Sequence, residues 1–225
     1  MNVAIVVAGG RGVRFGGDRP KQFRELNGAP IIVHTLRQFE LSRQIDQVVV
    51  VLPASEVGDF QSIADKFGLS KIARVVAGGE TRAQSVRNGL AAIDQAEVLA
   101  VHDAVRPLVT PEEIDRVVAA AAESGAAILV APVSETIKEI AGSRVTRTVA
   151  RAQLRRALTP QAFQFDILKR AYHDLEELES AGLDVTDDSF LVERLGVAVT
   201  IVEGSARNLK ITSQEDLVIA QALLL

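Results

Sequence analysis

Short apolar runs spaced a helix apart are the feature that most restricts what this chain can become. Val3–Val7, Val48–Leu52, Ala73–Val76, Val98–Val101, Ala127–Val130 and Val199–Val202 are rich in β-branched residues. They are continuous rather than alternating, so they predict strands covered on both faces. Between and after them, Ile31–Glu40, Glu56–Phe67, Ala83–Ile93, Pro111–Glu123, Phe165–Leu178, Asp187–Leu195 and Ser213–Leu224 have helix length and amphipathic spacing. The β-α-β alternation predicts an α/β fold with a mostly parallel central sheet. Punctuation supports individual helices. Thr110-Pro111-Glu112-Glu113 supplies an N-cap, a proline at the first helical position and a capping-box carboxylate, with Gly125 placed to end the helix. Thr212-Ser213-Gln214-Glu215 repeats the pattern.

One stretch departs from the alternation. Glu135–Ile140 and Arg144–Val149 flank Ala141-Gly142-Ser143 as two strands around a turn. A hairpin leaving an α/β body exposes its edges and is marginal alone, so packing against a second subunit is its best physical reason. The alternative is a plain surface excursion. No repeat, low-complexity tract or linker divides the chain. Residues 1–225 therefore read as one domain, with residues 133–160 as an arm inserted in it.

Composition then excludes chemistry. The chain has no cysteine, so thiolate catalysis, disulfides and Cys-based metal sites fall. Lys plus Arg is 25 against Asp plus Glu 29, which disfavours a nucleic-acid binder or a partner of anionic membranes. No apolar run approaches the ~18 residues of a membrane span, and the start of the chain lacks a signal-peptide pattern. A cytoplasmic protein fits these absences. His34, His102 and His173 are dispersed without metal-ligand or triad spacing, so His102 reads as structural despite its neighbour Asp103.

The first strand runs into Ala8-Gly9-Gly10-Arg11-Gly12-Val13-Arg14-Phe15-Gly16-Gly17-Asp18-Arg19-Pro20-Lys21. Glycines leave backbone N–H groups open to a ligand, and Arg14, Arg19 and Lys21 bring positive charge. The carboxyl end of a strand is where open α/β sheets bind ligands, so location and chemistry both suit a polyphosphate. Spacing separates the nucleotide motifs. From Gly10 the dinucleotide fingerprint would need glycine where Phe15 stands, and no acidic ribose ligand follows the second strand at Leu52-Pro53. A Walker loop would need Gly-Lys-Ser/Thr, whereas Lys21 lies between Pro20 and Gln22. The remaining pattern is that of nucleotidyltransferases acting on nucleoside triphosphates.

Further motifs make a specific resemblance. Besides the glycine loop with Pro20-Lys21-Gln22, they are Gly78-Gly79-Glu80-Thr81-Arg82-Ala83-Gln84-Ser85-Val86 and Val101-His102-Asp103-Ala104-Val105-Arg106-Pro107. Ala131-Pro132-Val133-Ser134-Glu135-Thr136-Ile137-Lys138, Arg151 with Leu158-Thr159-Pro160-Gln161, Thr186-Asp187-Asp188 and Gly204–Thr212 follow in order. Together the chain resembles, end to end, the 2-C-methyl-D-erythritol 4-phosphate cytidylyltransferases of the non-mevalonate isoprenoid pathway. The resemblance implies a Rossmann-like three-layer nucleotidyltransferase fold and a CTP-dependent enzyme. It implies that Arg14, Lys21 and Lys210 surround the triphosphate, and that Ala8, Gly9, Gly10, Gly12, Gly79, Glu80 and Ser85 hold the nucleotide. Glu80 can equally cap the helix that follows it.

By the same resemblance Asp103, Arg106, Thr136, Arg151, Thr159 and Thr186 bind the polyol phosphate, with Asp103 also a candidate ligand for Mg²⁺. The arm interlocks two subunits, so a homodimer is expected, with Arg151 and Thr159 completing the partner's site. Asp103 with Arg106 also reads as a plain salt bridge at a strand end. The implied nucleophile is a phosphate monoester, already ionised at neutral pH because its second pKa is ~6, so no general base is required. Gly9 and the Ala-Val-Arg-Pro form of the fourth-strand motif also occur in the related ribitol-5-phosphate cytidylyltransferases. Glu135-Thr136-Ile137-Lys138 and Thr186-Asp187-Asp188 favour the methylerythritol acceptor. A non-catalytic nucleotide-binding module is the alternative from another class.

Overall fold

The computed structural model describes residues 1–9 and 20–224. In chain order the elements are β1 (Val3–Val7), β2 (Glu25–Leu26), β3 (Ala29–Pro30), α1 (Ile31–Leu41), β4 (Gln47–Leu52), α2 (Phe60–Lys66) and β5 (Ile72–Ala77). They continue as α3 (Arg82–Ala91), β6 (Val98–Asp103), α4 (Pro111–Ser124), β7 (Ala126–Pro132), β8 (Ile137–Ala141), β9 (Arg144–Val149) and β10 (Arg155–Gln164). The last are α5 (Phe165–Ala171), α6 (Leu175–Ser180), α7 (Asp188–Arg194), β11 (Thr200–Glu203) and α8 (Gln214–Leu223).

Seven strands form the main sheet in the order β11-β7-β10-β6-β1-β4-β5. Every pairing is parallel except the two made by β10, which runs antiparallel between β6 and β7. The pleat of β1 shows why its run is continuous. Val3, Ile5 and Val7 face a core shared with α3, α5 and α7, while Ala4 and Val6 face a second core shared with α1, α2 and α4. These are the three layers expected. Gly89 lets α3 lie close on the sheet, since a Cβ there would come within 2.7 Å of Ile5 Cγ2. A third cluster, with Leu26, Ile31, Val105, Leu108 and Ile211, seats α8 beside the carboxyl ends of β1 and β6. Among the described residues no helix is long and apolar enough to cross a membrane.

The strands expected from the apolar runs are present, with ends moved by one or two residues. The capping box of α4 forms as read, with Gly125 at φ 92° ending the helix. That of α8 is displaced by one residue: Ser213 is the cap and Asp216, not Glu215, reaches back. Asp216 wins because its carboxylate also accepts from the Thr212 N–H and hydroxyl, each at 2.7 Å. The helix expected over 56–67 starts only at Phe60, after a 3-10 turn at Ala54–Glu56. The one expected over 165–178 is broken at Tyr172–Asp174 into α5 and α6.

β10 was not expected. Pro160 and the Arg155-Arg156 pair interrupt its pattern, and the ladder to β7 shifts register between Ala157 and Gln161. The hairpin β8–β9 does form, with Gly142 at φ 58° in its turn. Neither of its strands joins the main sheet, and Ile140 and Val145 lie exposed on it. Within 133–160 the chain leaves the sheet after β7 and has returned to it by Arg155, which pairs with Pro132.

Candidate active site

The carboxyl ends of β1, β5 and β6 border a cleft lined by Ala8, Gly9, Lys21, Gly79, Glu80, Thr81, Arg82, Ser85, Asp103 and Lys210, with Val7 and Val105. One wall is backbone. Ala8 N–H donates to Val51 O at 2.7 Å, Gly78 N–H to Leu52 O at 2.7 Å, and the Gln22 side-chain amide to Ala8 O at 2.5 Å. Gly9 and Gly78 close on Ser85: a Cβ on either would come within 2.8 Å of its Oγ. That hydroxyl accepts from Gly79 N–H at 3.1 Å and donates to Thr81 O at 2.9 Å, which fixes the turn into α3. Thr81 is the N-cap, accepting from Gln84 N–H at 3.0 Å, while Gln84 Oε1 accepts from Glu80 N–H. The capping reading of Glu80 therefore falls. Its side chain is exposed at the rim.

The opposite wall is charged. Asp103, at the end of β6, accepts from Arg82 Nε at 3.1 Å on Oδ1, and on Oδ2 meets Arg106 Nε at 3.2 Å and Lys210 Nζ at 3.1 Å. Lys21 Nζ donates to Ile211 O at 3.2 Å, which brings a fourth cation to the same end of the sheet. Burial alone would raise the Asp103 carboxyl, but Arg82, Lys210 and Arg106 outweigh it and hold the group well below the usual carboxylate range. Four cations gathered at one end of the sheet suit a polyphosphate.

Behind Asp103 runs a hydrogen-bonded chain. His102 Nε2 lies 3.2 Å from Arg106 O, an acceptor, so this nitrogen carries the proton. Nδ1 then accepts from the Thr159 hydroxyl at 2.9 Å, and Thr159 Oγ1 in turn accepts from Asp103 N–H at 3.2 Å. Burial lowers the His102 pKa to about 3, keeping the ring neutral, so it is a structural group and no base. The unfolded chain binds a proton at His102 near pH 6.5 that the folded chain refuses, so stability falls as pH drops from there. At pH 5 this costs about 2 kcal/mol relative to pH 7. Chemical denaturation at the two pH values should show this loss, and His102→Gln should show it reduced to the smaller, same-signed share of His34.

Of the residues expected from sequence, Ala8, Gly9, Lys21, Gly79, Glu80, Ser85, Asp103 and Lys210 line one cleft. Arg106 stands directly behind it, also donating to Asn208 O at 3.0 Å. Thr159 was expected to complete the partner's site, but it is buried in its own chain, where its hydroxyl accepts from Asp103 N–H and meets His102 Nδ1. Thr136, Arg151 and Thr186 are exposed and do not line the cleft of their own chain; Arg151 bonds Ser134 O at the base of the arm. Gly10, Gly12 and Arg14 lie outside the described residues. Both oxygens of Asp103, the candidate magnesium ligand, are engaged by cations here. Among the described residues no three His, Asp or Glu side chains group to hold a metal.

Sequence reasoning gave no role to Arg82, Asp188, Tyr172 or Gln161. Arg82 carried one signal: a cation in the first turn of a helix opposes the helix dipole, so it needs an acidic partner. It has two, Asp103 and Asp188, the latter reached by Nη2 at 2.8 Å.

Comparison with known proteins identifies the family. Residues 2–225 match the family model described as IspD, 2-C-methyl-D-erythritol 4-phosphate cytidylyltransferase. A protein of that name from Bacillus velezensis is 43% identical over 223 residues, covering 99% of this chain and 95% of the relative. The crystal structure of 4-diphosphocytidyl-2C-methyl-D-erythritol synthase from Anaerococcus prevotii superposes with a TM-score of 0.85 at 29% identity, covering 99% and 95% of the two chains. That of the cytidylyltransferase from Thermus thermophilus gives 0.76 at 34% identity, covering 99% and 97%. Matched along nearly its whole length, the chain belongs to the 2-C-methyl-D-erythritol 4-phosphate cytidylyltransferase family.

Proposed function

We propose that this cleft transfers CMP from CTP to 2-C-methyl-D-erythritol 4-phosphate, giving 4-diphosphocytidyl-2-C-methyl-D-erythritol and pyrophosphate. The observation that carries it is the convergence of Lys21, Arg82, Arg106 and Lys210 on a glycine-walled cleft at the carboxyl end of the sheet. A phosphate oxygen of the acceptor attacks the α-phosphorus of CTP, and the bond to the β-phosphate oxygen breaks. The acceptor is already a dianion, so the barrier is the meeting of two anions, and fixed cations lower it. Lys21 and Lys210 face the triphosphate, joined by Arg14 from the glycine loop. Ala8, Gly9, Gly79 and Ser85 present backbone and hydroxyl groups to the cytidine, with Gly10 and Gly12 cradling phosphate and Glu80 at the rim. Mg²⁺ bound with CTP would supply charge neutralisation to the triphosphate, with Asp103 the candidate to help hold it.

The second substrate is held by Asp103 and Arg106, with Thr159 setting the backbone beneath them. Thr136, Arg151 and Thr186 bind it too. The arm supplies Arg151 to the other subunit of a homodimer, and its exposed Ile140 and Val145 support such a use. The enzyme works in the cytoplasm on small molecules, without nucleic acid or membrane.

Pyrophosphate release with CTP and Mg²⁺ tests this reading, with 2-C-methyl-D-erythritol 4-phosphate and D-ribitol 5-phosphate compared in parallel. Turnover is expected with the first acceptor only. Turnover with ribitol phosphate alone would keep the mechanism and overturn the roles of Thr136 and Thr186. Silence with both would leave a nucleotide-binding module.

A further inference from the structure

Asp188 lies at the first turn of α7, wholly buried and outside the cleft lining, yet it carries a carboxylate. Its Oδ2 receives Arg82 Nη2 at 2.8 Å and its Oδ1 the Tyr172 hydroxyl at 2.5 Å. Arg82 turns its remaining edge to the cleft, where Nε holds Asp103 Oδ1 at 3.1 Å. The order Tyr172, Asp188, Arg82, Asp103 is thus an unbroken path from the break between α5 and α6 to the carboxylate at the centre of the cations. Its far end is pinned as well. Gln161 Oε1, on β10, accepts from the N–H groups of Asp188 and Ser189 at 3.0 and 2.9 Å.

Burying a charged network of this kind seldom adds stability over a packed apolar one, so its worth lies in geometry. The planar guanidinium can meet two carboxylates only in one orientation, and Asp188 fixes that orientation from behind. With Oδ1 of Asp103 held, only Oδ2 is left to face Arg106 and Lys210. Burial disfavours the charged guanidinium, but the two carboxylates more than compensate and keep Arg82 ionised.

We propose that Asp188 is a positioning residue for the transfer reaction, holding Arg82 and through it the Asp103 carboxylate in the register the cations require. This rests on the reaction assigned above. The test is steady-state kinetics of Asp188→Asn and Tyr172→Phe beside wild type and Leu191→Ala, a control of equal burial on α7, all normalised to folded protein by far-UV circular dichroism, since Tyr172 is the one tyrosine in a chain without tryptophan. Asp188→Asn keeps the volume and the backbone contacts to Gln161 while weakening the grip on Arg82. Its kcat is expected to fall on the order of ten- to a hundred-fold, with KM for CTP within about two-fold, as small misplacements at a reacting centre do. Tyr172→Phe should follow in the same sense by about three-fold, and Leu191→Ala should keep the kcat of wild type per folded molecule.

A folded Asp188→Asn enzyme with wild-type kcat would overturn the proposal, as would an equal kcat loss in Leu191→Ala. Should Asp188→Asn fail to fold, Tyr172→Phe decides, and wild-type kcat there overturns it. Silence of the wild-type enzyme with CTP and the methylerythritol acceptor would instead overturn the reaction, and this inference with it.

Discussion

Asp103→Asn should abolish useful turnover and weaken the fold at the same time. The substitution keeps the shape of the side chain but removes the one negative charge shared by Arg82, Arg106 and Lys210. Asp103 and Arg106 are mostly buried, at 8% and 12% side-chain exposure, so water cannot take over the lost role. Removing one partner from a buried ionic cluster costs about 3–5 kcal/mol. For a chain of this length that lowers Tm on the order of 10 °C. Freed cations repel one another and leave the positions that meet the phosphates, so kcat should drop by a factor on the order of 10²–10³. The pH axis separates this effect from that of His102. Because the cations hold the Asp103 carboxyl below its ordinary value, its contribution is complete above about pH 3.9 and fades only below that. The deficit of Asp103→Asn should therefore be the same at pH 7 and pH 5. A deficit that shrinks between those values would contradict the ion-pair account.

Lys21→Ala and Arg151→Ala should each give a folded, nearly inactive enzyme, and a mixture of the two should regain activity. Lys21 lines the cleft, whereas Arg151 sits exposed at the base of the arm, away from the cleft of its own chain. If each site takes Lys21 from one subunit and Arg151 from the other, a mixed dimer has one site with both defects and one with neither. Random exchange in a two-fold dimer then returns about a quarter of wild-type activity. The measurement is pyrophosphate release after co-unfolding and refolding the two variants at equal concentration. No recovery would mean that both residues act in the same subunit, and the assignment of the arm would be wrong.

The parts of this molecule legible in its sequence are those set by neighbours in the chain. The continuous apolar runs announced strands covered on both faces, and Thr110, Pro111 and Glu113 announced a helix start, because period and capping are local matters. Lys21 was legible as chemistry, since a cation after a glycine-rich loop at a strand end suits phosphates, whereas Lys210 came only with the family resemblance. β10 was not, because its six buried residues from Leu158 to Phe163 include Pro160, and its burial comes from lying between β6 and β7. The break at Tyr172–Asp174 was missed because Leu168, Tyr172 and Leu175 keep helical spacing straight across it. Arg82 with Asp188 was out of reach for a simpler reason. The two are 106 positions apart, and only the packed fold brings them to 2.8 Å.

The place of β10 also governs how the molecule comes together in time. β1, β4, β5 and β6 are neighbours drawn entirely from residues before Ala104, so the emerging chain holds a complete four-stranded parallel unit early. β7 is made next but has no partner in that unit. It can join only when the chain has travelled out along the arm and back, because β10 is the single bridge between the β11-β7 pair and the rest. The strand that ties the two parts together is thus the one carrying Thr159, whose hydroxyl accepts from the backbone N–H of Asp103. Amide hydrogen exchange is expected to divide along the same line, with β10 as the seam where the two blocks of protection part company.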